Sequence, residues 1–279
     1  MLLVSLSVAM NVFGAGPAVT PVWYGPDGRP LPFDSHEEAV AFLESATVVG
    51  IEEIPGSQNG PLQILLERGE VRARAAFRSV RKTWRREWIR GTWYLHLLDR
   101  AASERAAYVV ALKLGLESIP PTVVREIDGR EGTLQLWVEE AETLAERAGR
   151  RLDVPADWYE QMATIRAFDA LLFNVDRHPG NLLVRSDGVV WMIDHTQTFQ
   201  YNERLLDADD VRMIPAVMWE RLREIPDSEF EEALAETLDG DQIDAFLERR
   251  RLLVELIEDL IAEHGVGRVV GPRRGLGAR

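Results

Sequence analysis

The sequence predicts an α+β fold in two unequal parts: a small antiparallel sheet of five strands with one helix inserted, then a mostly helical half. Three observations predict it. Short β-rich runs separated by tight turns fill residues 47–80 and 122–139. Apolar residues at helical spacing fill 93–114 between them. From residue 157 onward, three- and four-residue apolar steps dominate and are interrupted by one hairpin.

In chain order, Met1 to Phe13 is apolar apart from Ser5, Ser7 and Asn11, and Gly14, Ala15 and Gly16 follow. This resembles the apolar part of a secretory signal, although no Lys or Arg precedes it. Residues 1–18 are therefore read as a signal or N-terminal anchor segment, with a buried strand or helix as the alternative. A cytoplasmic and an exported location both stay open. Pro17, Pro21, Pro26, Pro30 and Pro32 keep 17–32 extended. Asp34-Ser35 with Glu37 and Glu38 starts a short helix running to Glu44, which completes a lead-in over 19–45.

A first strand occupies 47–54 and is closed by the turn Pro55-Gly56-Ser57-Gln58-Asn59-Gly60-Pro61. Leu62 to Glu67 is the second strand, Arg68-Gly69-Glu70 a tight turn, and Val71 to Val80 the third. The helix over 93–114 offers Leu97, Leu98, Ala101, Ala102, Ala106, Val109, Val110 and Leu114 to one broad face. Two more strands, Thr122–Ile127 and Thr133–Glu139, surround Asp128-Gly129-Arg130. Together these form a sheet-bearing part over 46–140.

The second part, 141–265, opens with an amphipathic helix from Asp157 to Phe173, with Trp158, Met162, Ile165, Phe168 and Leu172 on one stripe. Pro179 and Gly180 end that pattern. A hairpin follows, Leu182 to Arg185 and Val189 to Ile193 around Ser186-Asp187-Gly188, and it delivers Asp194-His195 at its end. Helices are expected over 203–224, 228–237 and 240–264, with a Gly- and Arg-rich tail over 266–279.

Composition narrows the chemistry. The 279 residues are 46% hydrophobic and 28% charged, as in ordinary globular proteins. No apolar run reaches the ~18–20 residues needed to span a bilayer, so no transmembrane span is expected in the mature chain. The absence of cysteine excludes disulfides, thiolate metal sites and cysteine nucleophiles. A formal charge of −14 argues against nucleic-acid binding by the surface as a whole. The balance is uneven: residues 68–90 hold eight arginines and Lys82 against Glu70 and Glu87, a balance of +7. Trp84 and Trp88, four apart, read as inward positions of a helix whose arginines point outward. The other reading is a set of stacking platforms. The helical reading is preferred, and no specific nucleic-acid binding is expected.

Asp176, Asn181 and Asp194 carry the chemistry. The first two lie in the loop after a helix, and the third ends the following hairpin. By themselves Asp176 and Asn181 fit a helix-ending turn better. With Asp194 downstream, two carboxylates and an amide can converge, which suits a hard cation on phosphate oxygens and an acid that orients a hydroxyl nucleophile. A zinc hydrolase built from Asp176, His178, Asp194 and His195 is the lesser alternative, because no His-Glu-x-x-His helix supports it. His178 reads as a residue that orders the loop, and Asp169 as one that holds the loop from behind.

The run Asp176-Arg177-His178-Pro179-Gly180-Asn181 resembles the catalytic loop of the protein-kinase-like superfamily. It is most similar to the Asp-Arg-His form of the phosphatidylinositol 3- and 4-kinases, HipA and the secretory-pathway kinases. Ile193-Asp194-His195 looks like the counterpart of the Asp-Phe-Gly element. Glu104, in Ser103-Glu104-Arg105-Ala106-Ala107-Tyr108, resembles the helix glutamate of the smaller lobe. Ile119 to Val123 and Leu134-Gln135-Leu136-Trp137-Val138 look like the stretch leading to the adenine-holding hinge. The resemblance covers roughly 47–200. It implies a bilobal kinase-like fold and an ATP- and Mg2+-dependent phosphotransferase acting on a hydroxyl acceptor, whether protein, lipid head group or small molecule. It further implies Asp176 as the catalytic base, Asn181 and Asp194 as metal ligands, and Arg78, Glu104 and Val138 on the nucleotide.

Two departures stand out. Arg78, in Ala75-Ala76-Phe77-Arg78, occupies the place where the resemblance leads one to expect a strand lysine, and no glycine follows His195. Arginine keeps the charge but is longer and planar. The competing expectation is therefore a nucleotide-binding pseudokinase that acts as a scaffold; nucleotidyl instead of phosphoryl transfer is a third.

Overall fold

The computed structural model describes residues 21–54, 60–89, 91–148 and 155–271. The expected signal segment and most of the turn over 55–59 lie outside these residues. From residue 21 the described chain forms a strap, closed on itself by a bridge between Tyr24 and Pro30. Its Trp23 is buried against Trp191, ring centroids 4.7 Å apart. The proline-rich lead-in is thus packed onto the body of the protein. Helix α1 (His36–Ser45) starts where expected, its first turn capped by the Ser35 hydroxyl, which accepts the Glu38 N–H at 3.2 Å.

Strands β1 (Thr47–Glu53), β2 (Leu62–Arg68) and β3 (Val71–Arg78) form the expected meander. On β3, Ala73, Ala75 and Phe77 are buried in alternation with less buried neighbours. The period of two puts Arg74, Ala76 and Arg78 on the opposite face. Then comes the main correction to the sequence reading. Residues 81–100 form a hairpin, β4 (Arg81–Ile89) and β5 (Thr92–Arg100), not helix. Helix α2 is confined to Ala102–Lys113, and Trp84 and Trp88 are exposed, not inward-facing. A spacing of four is common to a helix face and a strand face, so those two tryptophans could not decide. The turn signal was Gly91, which has φ 81 and so takes a conformation that other residues resist.

Strands β6 (Thr122–Ile127) and β7 (Arg130–Leu136) return to complete a five-stranded antiparallel sheet in the order β1-β2-β3-β7-β6. Helices α1 and α2 both pack near β6 and β7. One core, around Phe42, Ile64, Phe77, Leu134 and Trp191, serves this lobe.

The larger lobe opens with β8 (Ala141–Thr143), which the sequence reading missed, then α3 (Trp158–Leu172) and the hairpin β9 (Leu182–Arg185) and β10 (Val190–Met192). Strands β8, β9 and β10 form a small antiparallel sheet. The expected helix over 203–224 shrinks to α4 (Ala216–Glu224), preceded by a short 3-10 turn and by β11 (Ile214–Pro215), because the stretch before it is rich in Asp and Asn. Helices α5 (Asp227–Leu234), α6 (Gly240–His264) and α7 (Val266–Val269) follow, and β12 (Val270–Gly271) pairs with β11. Helix α6 begins with a capping box between Asp239 and Gln242. Its buried Arg249 donates from Nε to the Leu171 carbonyl at 2.7 Å and from Nη1 to Gln200 O at 3.1 Å. Burial lowers its pKa to about 9. It thereby satisfies an orphan carbonyl at the end of α3. A second core, around Leu114, Phe168, Leu172, Phe199 and Phe246, fills this lobe. Among the described residues no helix is long and apolar enough to cross a membrane.

Candidate active site

Helix α3 ends on Phe173, whose left-handed backbone (φ 55) turns the chain out of the helix. The loop that follows is held from behind. Asp169 accepts from Asn174 Nδ2 at 2.8 Å and from Arg177 Nε at 2.9 Å and Nη2 at 3.1 Å. Arg177 Nη1 donates to the carbonyls of Asn181 at 2.8 Å and Ile193 at 2.9 Å, so one guanidinium ties the loop to the end of the hairpin. His178 orders the loop, as expected: its Nδ1 accepts the Gly180 N–H at 3.0 Å. Asn181 Nδ2 donates to the Asp176 carbonyl at 3.0 Å. That bond fixes the amide, leaving its Oδ1 as the acceptor the side chain can still offer.

Asp194 stands just beyond β10 with a left-handed backbone, φ 58, a conformation that Asp tolerates better than most residues. Bonds on both sides hold it there: Arg177 to Ile193 O, and the His195 N–H to Glu104 Oε1 at 3.1 Å. His195 is buried, its Nε2 receiving a hydrogen bond from Arg177 Nη2 at 2.9 Å. Burial, then the charges of Arg177 and Arg78, hold its pKa well below the ordinary imidazole value. It is neutral packing beside Phe168, not a solvent-facing ligand. This and the lack of any cluster of three His, Asp or Glu side chains fit to hold a metal among the described residues count against the zinc reading.

The smaller lobe contributes Arg78. Its Nη1 lies 3.1 Å from Glu104 Oε1 on α2, and its Nη2 lies 3.2 Å from Asp194 Oδ2. One planar side chain therefore joins β3, α2 and the metal-candidate aspartate of the other lobe. Glu104 is 1% exposed, and burial raises its pKa although Arg78 pulls it down. Arg78 stays charged: burial opposes its charge, but Asp194, Glu104 and Asp99 together raise its pKa.

Asp99, near the end of β5, is the acid that sequence reasoning missed, because it lay inside the stretch read as helix. It is fully buried, with neither carboxylate oxygen in a well-formed hydrogen bond. Burial raises its pKa, with smaller contributions that lower it from Thr196 and Trp84. Asp176 is half-buried, and burial likewise raises its pKa, opposed by His178 and reinforced by Asp194 and Asp99. The structure thus brings together Asp176, Asn181, Asp194, Arg78 and Glu104. Val138 is not part of that cluster; it lies in the core of the sheet lobe, beyond the end of β7.

The chain matches no protein-family model and no curated protein sequence. Solved structures do match in fold. The structure of hydra Fam20 with sugar aligns over 86% of this chain and 94% of its own, with a TM-score of 0.64 and 15% identity. The Golgi casein kinase aligns over 84% of this chain and 78% of its own, with a TM-score of 0.61 and 14% identity. Its Mn/ADP-bound form aligns over the same shares, with a TM-score of 0.59 and 13% identity. The chain therefore shares the kinase-like fold of these structures, a five-stranded antiparallel sheet followed by a mostly helical part, as its Asp176–Asn181 motif led one to expect.

Proposed function

We propose that this chain is an ATP- and magnesium-dependent phosphotransferase that moves the γ-phosphoryl group onto a hydroxyl acceptor. The observation that carries the reading is the convergence of Asp176, Asn181 and Asp194 with a cation, Arg78, supplied by the other lobe through a buried glutamate pair. The kinase-like fold, shared with a Golgi casein kinase solved with Mn/ADP bound, supports it. The sheet over 46–140 would cover the nucleotide and 141–265 would carry the reacting groups.

The donor set suits a hard divalent ion. Asn181 Oδ1 and the Asp194 carboxylate are oxygen donors, and magnesium in phosphate chemistry takes one or two protein carboxylates and completes its shell with phosphates and water. Such an ion would offset phosphate charge. Asp176 orients the acceptor hydroxyl and takes its proton as the oxygen bonds to phosphorus and the bond to the leaving diphosphate breaks. Its raised pKa brings it nearer to the working range of a base. Arg78, steadied by Glu104, neutralises phosphate charge. The scaffold reading has one observation in its favour, namely that Arg78 engages Asp194 directly.

Thermal unfolding with and without Mg2+ or Mn2+ and a non-hydrolysable ATP analogue tests the site. At a hundredfold excess over Kd, binding adds about 2.7 kcal/mol. The shift should need the metal and vanish in Asp194→Asn. Asp176→Asn should keep the shift yet lose transfer by about a hundredfold or more. No shift in the wild type sinks the nucleotide reading; a shift with no transfer to any acceptor, self-modification included, favours the scaffold.

A further inference from the structure

Apart from Asp99 at its root, the β4–β5 hairpin has no part in the chemistry above, yet it is inserted in the chain between Arg78 and Glu104. Its root is firmly built. Leu97 and Leu98 are buried, Gln200 brackets the Leu98 backbone at 2.8 and 2.9 Å, and the Arg100 N–H reaches Thr196 O at 2.9 Å. His96, with φ 54, bends the ribbon between root and tip. Beyond that bend Ile89 and Tyr94 pack back toward Phe173, the Tyr94 and Phe173 ring centroids 6.4 Å apart, and the opposite face is left in the open. Trp88 is 52% exposed, Trp93 51% and Leu95 68%. Cross-strand pairing of Arg86 with Leu95 and Trp88 with Trp93 puts all four on one face. The indoles meet at 5.0 Å, and the Arg86 guanidinium lies 3.9 Å over the Trp93 ring.

The details discriminate among partners. Stacking of a base needs an open ring face, but Trp93 is capped by Arg86 and flanked by Trp88. Leu95 adds apolar area without a hydrogen-bonding group. Exposed Arg85 lies on the reverse face near the bend and exposed Arg81 at the root opposite Arg100, so with Arg86 the positive charge runs along β4 behind the apolar tip. An apolar tip backed by arginines suits a laterally uniform, negatively charged, partly apolar surface. From this we infer that the hairpin docks onto an anionic lipid bilayer, with Trp88, Trp93 and Leu95 at the headgroup boundary and the arginines on the acidic headgroups. The net charge of −14 repels the rest of the molecule from such a surface, so the hairpin also sets the orientation. The inference does not rest on the nucleotide reading and survives its failure.

The test is sedimentation of the full chain with phosphatidylcholine vesicles, with and without phosphatidylserine. The wild type should bind the anionic vesicles and release them at high salt. Trp88→Ser/Trp93→Ser/Leu95→Ser should lose binding. Arg85→Gln/Arg86→Gln should weaken it about 25-fold, at roughly fivefold per basic residue. All variants share the apolar first residues, so differences between them report the hairpin, and matching unfolding temperatures establish that they fold. Equal binding by the wild type and the serine variant overturns the inference, as does wild-type binding to no vesicle. Capture of oligo-dT or poly-glutamate in place of vesicles overturns it too, reassigning the tip to nucleic acid or to an acidic protein.

Discussion

Replacing Arg78 by methionine removes one cation from a buried pair and leaves its glutamate behind. The Arg78 side chain is 15% exposed and that of Glu104 1%. Once Arg78 is gone, Glu104 Oε1 keeps only the His195 N–H, and Oε2 has no partner in the first place. Stranding one member of a buried pair typically costs about 3–5 kcal/mol. At roughly 2–4 °C per kcal/mol for chains of this order, the midpoint should fall by about 10 °C. Arg78→Met/Glu104→Gln should recover most of that, because neither partner is left charged and alone. The coupling in the double-mutant cycle should thus be at least about 2 kcal/mol. Acidity provides an internal check. Burial already raises the Glu104 pKa against the pull of Arg78, and without Arg78 it rises further. A carboxyl raised in the folded state destabilises progressively as pH climbs from the ordinary unfolded value to the folded one, so the single variant should regain stability toward acid pH and the double variant should not. Urea unfolding across pH reads both. A single-variant loss below about 1 kcal/mol, or an additive cycle, would refute the buried-clamp argument.

Three further outcomes follow from the same geometry. Arg78→Lys offers a point charge where two separated N–H groups now reach Glu104 and Asp194, so transfer and nucleotide affinity should fall about tenfold, the loss expected for one charged hydrogen bond; steady-state kinetics would read it, and a rise instead would mark Arg78 as a decayed lysine. Asp99→Asn removes a buried charge without well-formed hydrogen bonds. It should raise the unfolding midpoint above the folded-state pKa of Asp99, and the gain should close as pH falls toward the ordinary carboxylate range, where the wild-type group is protonated too. The pH profile of transfer should lose its acid limb at a pH above the ordinary aspartate value, since burial raises the Asp176 pKa; a limb at or below that value would remove Asp176 as the base.

Much of this could be read before any coordinates. Turn residues bracketed β1 to β3, and the third run alternated only in part; the structure makes Ala73, Ala75 and Phe77 its buried positions. The site was legible because its motif is local: Asp176, Asn181 and Asp194 lie within one helix-loop-hairpin unit. The Arg78–Glu104 pair was reached only through resemblance, since nothing in composition or spacing links residues so far apart. The hairpin over 81–100 was lost for a physical reason. Its strand residues recur at intervals that a helix also satisfies, and the single glycine of its turn sits among arginines that look helical. With it went Asp99, an acid whose burial follows from tertiary contacts at the hairpin root. β8 was missed because three residues carry no periodicity.

Arginine in place of lysine alters how the site must fill. A lysine ammonium is a compact charge, whereas Arg78 spans two carboxylates from two lobes at 3.1 and 3.2 Å. One Asp194 oxygen is therefore engaged by a cation before any ligand arrives, and the other lies 3.2 Å from the Thr196 hydroxyl. A divalent ion approaching Asp194 alone would meet Arg78 at close range, with only Asn181 to add a neutral donor. Glu104 and Asp99, both buried, also act on Arg78 and offset part of that repulsion. A polyphosphate can offset it, since its oxygens accept from Arg78 while they complete the shell of the metal. On the proposed function metal and nucleotide would enter as a unit, and the guanidinium that joins β3, α2 and Asp194 is the group that would receive the phosphates.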